Sequence, residues 1–227
     1  PQTYYAIGRV EVPVFNNTSR LGFMGTNVDR KDTTGATVFG ADWNLGFFEN
    51  KLFSNGQIIK TESNNILGDA FRYNVGYLNP VWWSFRFWYG DLDDSFEIND
   101  LGYSRRNNIT WTGVMLDLRN QVSRGIFINN NIKFIYNIAK NGQGIMLERE
   151  LEVKQNNLLK NYWKISFGAG LDLKAYNDND LYIDEDAWIY ETEEMRRFGF
   201  NLQTDRRKSI VLSTGGGFGY GRNRGFG

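Results

Sequence analysis

The chain has 227 residues, and its 26 basic and 26 acidic side chains give a net charge of zero. This balance leaves no field that would draw in nucleic acid, so no nucleic-acid partner is predicted. The sequence contains neither Cys nor His, which excludes thiol nucleophiles, disulfides, Ser-His-Asp triads, and zinc or haem sites built on His or Cys ligands.

Strand-like segments recur along the whole chain. Aromatic residues make up 16% of the sequence, and Gly is frequent while there are only three Pro, a composition that favours paired strands joined by polar turns. No apolar run approaches the roughly 20 residues that a membrane-spanning helix needs. The pattern predicts twelve strands, at 4–14, 19–29, 36–48, 51–61, 69–79, 81–91, 106–118, 125–139, 144–154, 161–175, 198–205 and 208–220.

Several of these segments alternate strictly between apolar and polar residues. The clearest runs from Trp163 to Ala175, where every second residue is apolar, and such a period of two places the apolar side chains on one face of a strand. Strands of soluble domains usually have about five to six residues, whereas a tilted strand that crosses a bilayer needs about nine to eleven. The length therefore favours lipid as the environment of the apolar face.

The connections between the predicted strands alternate between short and long. Short ones such as "FNNT", "EN" and "NP" follow the odd-numbered strands, and longer ones such as "RKDTTG", "SNNILG" and "LDDSFEINDLGYSRR" follow most of the even-numbered strands. Outer-membrane barrels have short periplasmic turns and longer outer loops. We therefore predict an all-β fold, an up-and-down antiparallel transmembrane β-barrel with about twelve strands visible. A soluble β-sandwich or open sheet is the alternative.

The whole chain, 1–227, is predicted to be one outer-membrane β-barrel domain in the bacterial outer membrane. Strand-like residues reach both ends of the sequence, which lacks an initiator Met and a signal-peptide pattern. An unpaired strand edge in lipid is costly, so a barrel must close. Either the twelve strands close on themselves or the chain continues beyond them. We expect the second, a domain that is incomplete at one or both ends and forms part of a larger barrel.

Four segments of the chain resemble a known family: "YYAIGRV", "LGFMGTNVDR", "VFGADWNLGFFEN" and, most specifically, "GDLDDSFEINDLGYSRRNN". They are similar to the C-terminal barrel of an uncharacterised outer-membrane family of Bacteroidota that carries an N-terminal family-9-type carbohydrate-binding module. The resemblance implies an outer-membrane barrel that contacts glycans, and it supplies no catalytic residues.

Charged residues on the polar faces of the predicted strands would line the lumen of a barrel. Both signs occur, so the lining could form a polar channel or an interior packed by its own ion pairs. The residues predicted to face the lumen are Arg72, Arg86, Lys133, Glu148, Glu150, Glu152, Asp172 and Lys174, together with Arg9, Glu11, Asp42, Asp117 and Lys164.

The predicted loop after the sixth strand is the main candidate for binding. Paired carboxylates there could act as acid and base on a glycosidic bond or hold Ca²⁺. Alternatively, the loop folds back into the mouth of the barrel, with aromatic anchors and with arginines that neutralise the acids. The candidate residues are Asp93, Asp94, Phe96, Glu97, Tyr103, Arg105 and Arg106.

A second acidic segment follows the tenth predicted strand. Its oxygen-rich spacing suits a hard cation, and the weak Ca²⁺ candidates are Asp178, Asp180, Asp184 and Asp186. The segment is not an EF-hand, because the glycine expected at its sixth position is Ile183. A solvated acidic loop is the alternative, and no other cofactor is predicted.

Three functions remain open from the sequence. The first is a non-enzymatic outer-membrane barrel that binds or takes up glycans. The second is a structural or interaction subunit of a larger outer-membrane complex. The third is an outer-membrane hydrolase that uses loop carboxylates. The predicted partners are outer-membrane lipid and lipopolysaccharide, glycans and other envelope proteins.

Overall fold

The computed structural model describes residues 2–31, 33–98, 106–178 and 189–221. These residues form fourteen β-strands: β1 Thr3–Pro13, β2 Arg20–Arg30, β3 Thr33–Phe47, β4 Leu52–Ser63, β5 Ile66–Leu78, β6 Trp83–Leu92, β7 Ile109–Asn120, β8 Phe127–Lys140, β9 Met146–Leu159, β10 Lys164–Asp172, β11 Ala175–Asn177, β12 Tyr190–Thr192, β13 Met195–Gln203 and β14 Ser213–Gly221.

Twelve of these strands form one sheet, in the order β1 to β10, then β13 and β14. Each strand of the sheet pairs with the strands before and after it in the chain, except that β10 pairs with β13. The sheet is therefore up-and-down and antiparallel, and the twelve predicted strands are confirmed. β11 and β12 form a separate two-stranded hairpin. In the described part of the chain the order stops at β1 and β14, so the sheet is open and the predicted closure is not seen there.

The predicted alternation of connection lengths is only partly right. Two residues separate Arg30 from its partner Thr33, and Asn64 and Asn65 alone join β4 to β5. Both Asn residues have left-handed backbones, with φ of 53° and 61°, as a tight two-residue hairpin turn requires. The residues that were predicted to form longer loops after the second and fourth strands therefore extend the strands themselves.

The last connection departs from the prediction in the opposite direction. β13 ends at Gln203 and β14 begins at Ser213, so residues 204–212 form a nine-residue connection where a two-residue turn was expected. β13 also begins at Met195, three residues before its predicted start. This earlier start brings Arg197 into the sheet.

The chain divides into two compact units. The first comprises Pro1–Tyr77, Phe87–Thr112 and Lys140–Gly144, and the second comprises Leu78–Arg86, Gly113–Ala139 and Ile145–Gly227. Residues paired across neighbouring antiparallel strands point to the same face of the sheet, so the register defines two faces in each unit. We call them the polar face and the apolar face.

In the first unit, two neighbouring rows of paired residues differ clearly in chemistry, although charged residues also occur on the apolar face, where Lys60 pairs with Asp69. One row carries apolar side chains across five strands: Val10, Phe23, Ala41, Ile58 and Phe71. The row next to it points the other way and is polar apart from one glycine: Glu11, Gly22, Asp42, Gln57 and Arg72.

The second unit repeats this separation over β9, β10, β13 and β14. An apolar row contains Val153, Ala169, Phe198 and Phe218, and the row on the opposite face contains Glu152, Gly170, Arg197 and Gly219. The alternation predicted from Trp163 to Ala175 is confirmed within β10, which ends at Asp172, because Phe167 pairs with Phe200 while its neighbour Ser166 pairs with Asn201.

The apolar face is uncovered. Phe167 is 53% exposed and Phe218 is 69% exposed. Among the described residues the buried apolar side chains are few and mostly small: Val28, Ala36, Ala70, Phe96, Ala139 and Ala175. Apolar surface left in water is unfavourable, and in the described part of the chain no second protein layer packs on this face.

Candidate functional site

Many of the charged residues lie on the polar face, and in the first unit four of them form a chain of ion pairs across β1, β2 and β3. The two terminal nitrogens of the Arg9 guanidinium donate to the Asp42 carboxylate, at 2.7 and 3.0 Å. Gly22, which has no side chain, lies between them, and a Cβ atom there would lie 2.6 Å from Asp42 Oδ2. Glu11 extends the chain with ion pairs to Arg9 at 3.4 Å and to Arg20 at 3.2 Å.

A second cluster, in the second unit, is centred on Asp117, whose side chain is only 5% exposed. Its carboxylate accepts hydrogen bonds from Arg119 at 2.6 Å and from Asn131 at 3.0 Å. Arg119 also donates to the Ser84 hydroxyl at 2.7 Å, and Lys133 Nζ lies 4.0 Å from the carboxylate. A buried carboxylate is stable only when such partners replace its water.

A third cluster, also in the second unit, joins three strands through Arg197. Its guanidinium bridges Glu150 on β9 and Asp172 on β10, with the Asp172 contact at 2.9 Å. Asn137 donates to Glu150 at 3.2 Å. Both carboxylates are predicted from the sequence to lie on the polar face, but Arg197 is not, because the predicted strand begins at residue 198. Continuing the alternation of "RRFGFNLQ" one residue before Phe198, which lies on the apolar face, would have placed Arg197 on the polar face.

The remaining residues predicted to face the lumen occupy different positions. Arg72 pairs with Gln57 on the polar face, and Glu152 contacts Lys154 there at 2.7 Å. Glu148 follows the same parity on β9, and Arg86 follows the parity of Ser84 on β6. Lys174 instead lies beyond the end of β10, where its ammonium contacts Glu191 of β12 at 2.7 Å.

The loop that follows β6 folds onto the polar face of β4 and β5. Phe96 is 3% exposed, and the backbone N–H of Glu97 donates to the Thr61 hydroxyl at 3.4 Å. A Cβ atom at Gly68 would lie 2.5 Å from the Cα of Phe96, so the absence of a side chain at Gly68 allows this close approach. Of the two interpretations of the loop, this geometry matches the folded-back one.

The acidic side chains of this loop have different surroundings. Asp93 Oδ2 accepts from the backbone N–H of Asp69 at 2.6 Å, and Asn107 ties the loop together by donating to the carbonyl of Asp94 at 2.5 Å. Asp94 and Glu97 are exposed. Arg106 Nε donates to the carbonyl of Asn107 at 3.3 Å. Tyr103 and Arg105 lie outside the described residues.

The proposed cation segment is described only at its start. Asp178, which follows β11, is 2% exposed, while Asp180, Asp184 and Asp186 lie outside the described residues. Within the ranges that the structure describes, no three acidic side chains are arranged to hold a metal ion. The Ca²⁺ assignment therefore stays a prediction from sequence.

Asp205, Arg207 and Tyr162 form a cluster, which we call the clasp, that joins two turns of the second unit. Asp205, in the connection from β13 to β14, accepts from Arg207 Nε at 2.9 Å and from Arg207 Nη2 at 2.8 Å. The Arg207 guanidinium lies 3.1 Å from the centre of the Tyr162 ring, in the turn between β9 and β10. The hydrogen bonds from the Arg207 side chain and backbone lower the pKa of Asp205 to about 2, and Asp205 in turn raises the pKa of Arg207.

Replacing Arg207 by Gln should raise the pKa of Asp205 towards the unperturbed value of about 3.9. Because the folded-state pKa lies below the unfolded one, the clasp stabilises the protein above about pH 4, and this contribution is lost as the pH falls towards about 2. A ¹³C NMR titration of the Asp205 carboxyl carbon measures the midpoint. Arg206→Gln, one residue away, is the control and should leave it unchanged; a midpoint near 3.9 in the unmodified protein would contradict the clasp.

These features define an all-β protein built on one up-and-down antiparallel sheet, with an uncovered apolar face and an ion-paired polar face. The chain belongs to the family described as a domain of unknown function, DUF5916, whose model matches residues 1–223. None of the curated proteins and none of the solved structures compared with the chain matches it. In the described residues, no helix has the length and apolar character needed to cross a membrane.

Proposed function

We propose that this chain is the β-barrel domain of a bacterial outer-membrane protein, non-enzymatic, that binds or takes up glycans. The observation that carries the membrane assignment is the uncovered apolar face, on strands that are nine to fifteen residues long. Lipid and lipopolysaccharide cover this face, and the polar face lines the lumen. The glycan assignment draws on the family resemblance of segments such as Phe96–Asn107.

The two faces of the sheet are stable in different solvents. Neighbouring exposed Phe, Tyr, Val and Leu side chains form a contiguous apolar surface, which soluble monomers rarely leave in water. In hydrocarbon the same surface is stable, and alternation of apolar-out and polar-in residues is the pattern of outer-membrane strands. The open edges of β1 and β14 must be hydrogen-bonded in the membrane, to each other or to further strands, because unpaired backbone groups in lipid are costly.

A second candidate is a structural or interaction subunit of a larger outer-membrane complex. The observation that favours it is the neutralisation of the polar face by its own ion pairs, such as Arg9 with Asp42 and Arg197 with Asp172. Such a lining is consistent with a filled interior that transports nothing. Envelope proteins are then the partners.

The membrane assignment is tested by where the native protein fractionates and by its migration in SDS gels with and without heating. We expect it in outer membranes, and we expect the unheated sample to migrate as a distinct, compact form. Recovery in the aqueous fraction, with identical migration of heated and unheated samples, contradicts the proposal. Native purification that brings down stoichiometric envelope proteins supports the second candidate.

Gly68→Ala should raise the single-channel conductance in planar bilayers, if the protein is an uptake component. The added methyl group would lie 2.5 Å from backbone atoms of Ser95 and Phe96, so it displaces the folded-back loop from the polar face. Gly8→Ala is the matched control, because nothing lies within 4 Å of a Cβ atom there. If the unmodified protein, Gly68→Ala and Gly8→Ala all fail to conduct, the protein is not a pore, and the role as a subunit of a larger complex is favoured.

A further inference from the structure

The polar face of the first unit contains a cavity of about 210 Å³ beside the ion pair of Arg9 and Asp42. Its polar lining consists of Arg9, Asp42, Gln57 and Thr26, and apolar side chains, among them Ile59 and Ile98, complete the wall. Ile98 belongs to the folded-back loop, and the other five come from β1 to β4. We call this space the Thr26 cavity.

Thr26 is the unusual member of this lining. The residue is 8% exposed, and its hydroxyl has no hydrogen-bond partner among the residues that the structure describes. A buried hydroxyl without a partner is unfavourable, and such groups in folded proteins call for an explanation. The hydroxyl oxygen has less than 1 Å² of accessible surface and can both donate and accept. A ligand group that does the same would satisfy it once the Thr26 side chain turns towards the cavity.

A second cavity of about 190 Å³ adjoins the first and shares three of its lining residues, Gln57, Ile59 and Ile98. Its other walls include Trp111 and Arg72, together with Phe96 of the folded-back loop. The Trp111 ring lies against Gly90, which has no side chain to separate them. An aromatic ring next to an arginine and an amide offers both a flat apolar surface and hydrogen-bond donors.

The chemistry of the two cavities selects the ligand class. Arg9 is already neutralised by Asp42, and the carboxylate would repel an anion, so a phosphate or sulfate does not fit the first cavity. A purely apolar ligand would leave the Thr26 hydroxyl unpaired. A neutral sugar matches, because its hydroxyl groups donate and accept while the C–H face of its ring packs on Trp111, Ile59 and Ile98.

We propose that the Thr26 cavity and its neighbour form a binding site for a neutral disaccharide, one ring in each cavity. This inference rests on the proposed function, since it assigns a specific place on the lumen-facing surface to glycan binding. Thr26 and Gln57 bind hydroxyl groups of the first ring, the Arg9–Asp42 pair presents a donor and an acceptor edge to the same ring, and Trp111 stacks on the second.

Isothermal titration calorimetry on the full chain tests the site, in a detergent without a sugar headgroup and with maltose, cellobiose and lactose as probes. At least one of them should bind, and Thr26→Val, which removes the hydroxyl and keeps the shape, should weaken that binding about five- to tenfold. Trp111→Leu should weaken it by a similar factor. Thr112→Val makes the same chemical change on β7 outside both cavities and should leave the affinity unchanged.

Two results overturn the site. One is the absence of binding by all three probes, and the other is equal affinity in Thr26→Val and the unmodified protein. Stronger binding of a sulfated disaccharide than of its neutral counterpart contradicts the assignment of a neutral ligand. None of these results affects the membrane assignment, provided that the protein still fractionates with outer membranes and shows heat-dependent migration. Failure of the binding site can therefore be distinguished from failure of the proposed function.

Discussion

Replacing Phe167 by Arg should prevent most of the protein from reaching its folded, membrane-embedded form. Phe167 lies near the middle of β10, on the apolar face, and is 53% exposed. If hydrocarbon covers it, an arginine near the bilayer midplane costs about 2–4 kcal/mol. If water covers it, a surface substitution of this kind changes stability by no more than about 0.5 kcal/mol.

The measurement is the fraction of protein that folds into lipid vesicles, scored by heat-dependent migration in SDS gels. Ser166→Arg is the matched control, since it introduces the same charge one residue earlier on the opposite face. Ser166 is hydrogen-bonded to Asn156 at 2.9 Å among exposed polar groups, so this variant should fold normally. Equal folding of the two variants would rule out lipid as the cover of the apolar face.

Asp117→Ala should lower the free energy of unfolding by about 3 kcal/mol, because removing one partner of a buried ion pair leaves the other charge uncompensated. The charge left behind is that of Arg119, whose side chain is 23% exposed. Urea unfolding of the vesicle-embedded protein, followed by tryptophan fluorescence, measures the change. The loss should be the largest produced by removal of any single carboxylate described above.

Two further variants separate the ion pair from side-chain loss in general. Glu49→Ala breaks the Lys51–Glu49 pair in the turn between β3 and β4, whose side chains are 44% and 85% exposed, and exposed pairs contribute at most about 1 kcal/mol. Adding Arg119→Met to Asp117→Ala should recover most of the loss, since an apolar pair replaces a buried unpaired charge. If the double variant is less stable than Asp117→Ala alone, the buried pair does not explain the effect.

Sequence reasoning succeeded where local periodicity carries the information. In β10, alternation alone separated Phe167 from Ser166, and in β9 it placed Glu150 and Glu152 on one face, as the register with β10 shows. Each residue of a strand rotates the side chain to the opposite face, so no distant contact is needed for the assignment. The ends of the strands were predicted less accurately. Two examples are the turn at Asn64 and Asn65 and the early start of β13.

The candidate site was only partly predictable. The loop residue Phe96 was identified as an anchor because it is an aromatic residue among acids, but nothing local marks Gly68 as the position that admits it. Thr26 and Trp111 were not singled out, since a threonine and a tryptophan in a strand carry no signal of their own. Their significance comes from neighbours on β3, β4 and β5 that are distant in sequence.

The sequence by itself determined the all-β class, the twelve strands of the sheet and the division of each strand into an apolar and a polar side, because the pleat of a strand imposes a period of two on its side chains. The tertiary structure decided which charges neutralise one another, where the loop after β6 lies and that the apolar side has no protein cover in the described residues. These depend on the register between strands and on close approaches such as that of Phe96 to Gly68, which arise only when segments far apart in the chain come together.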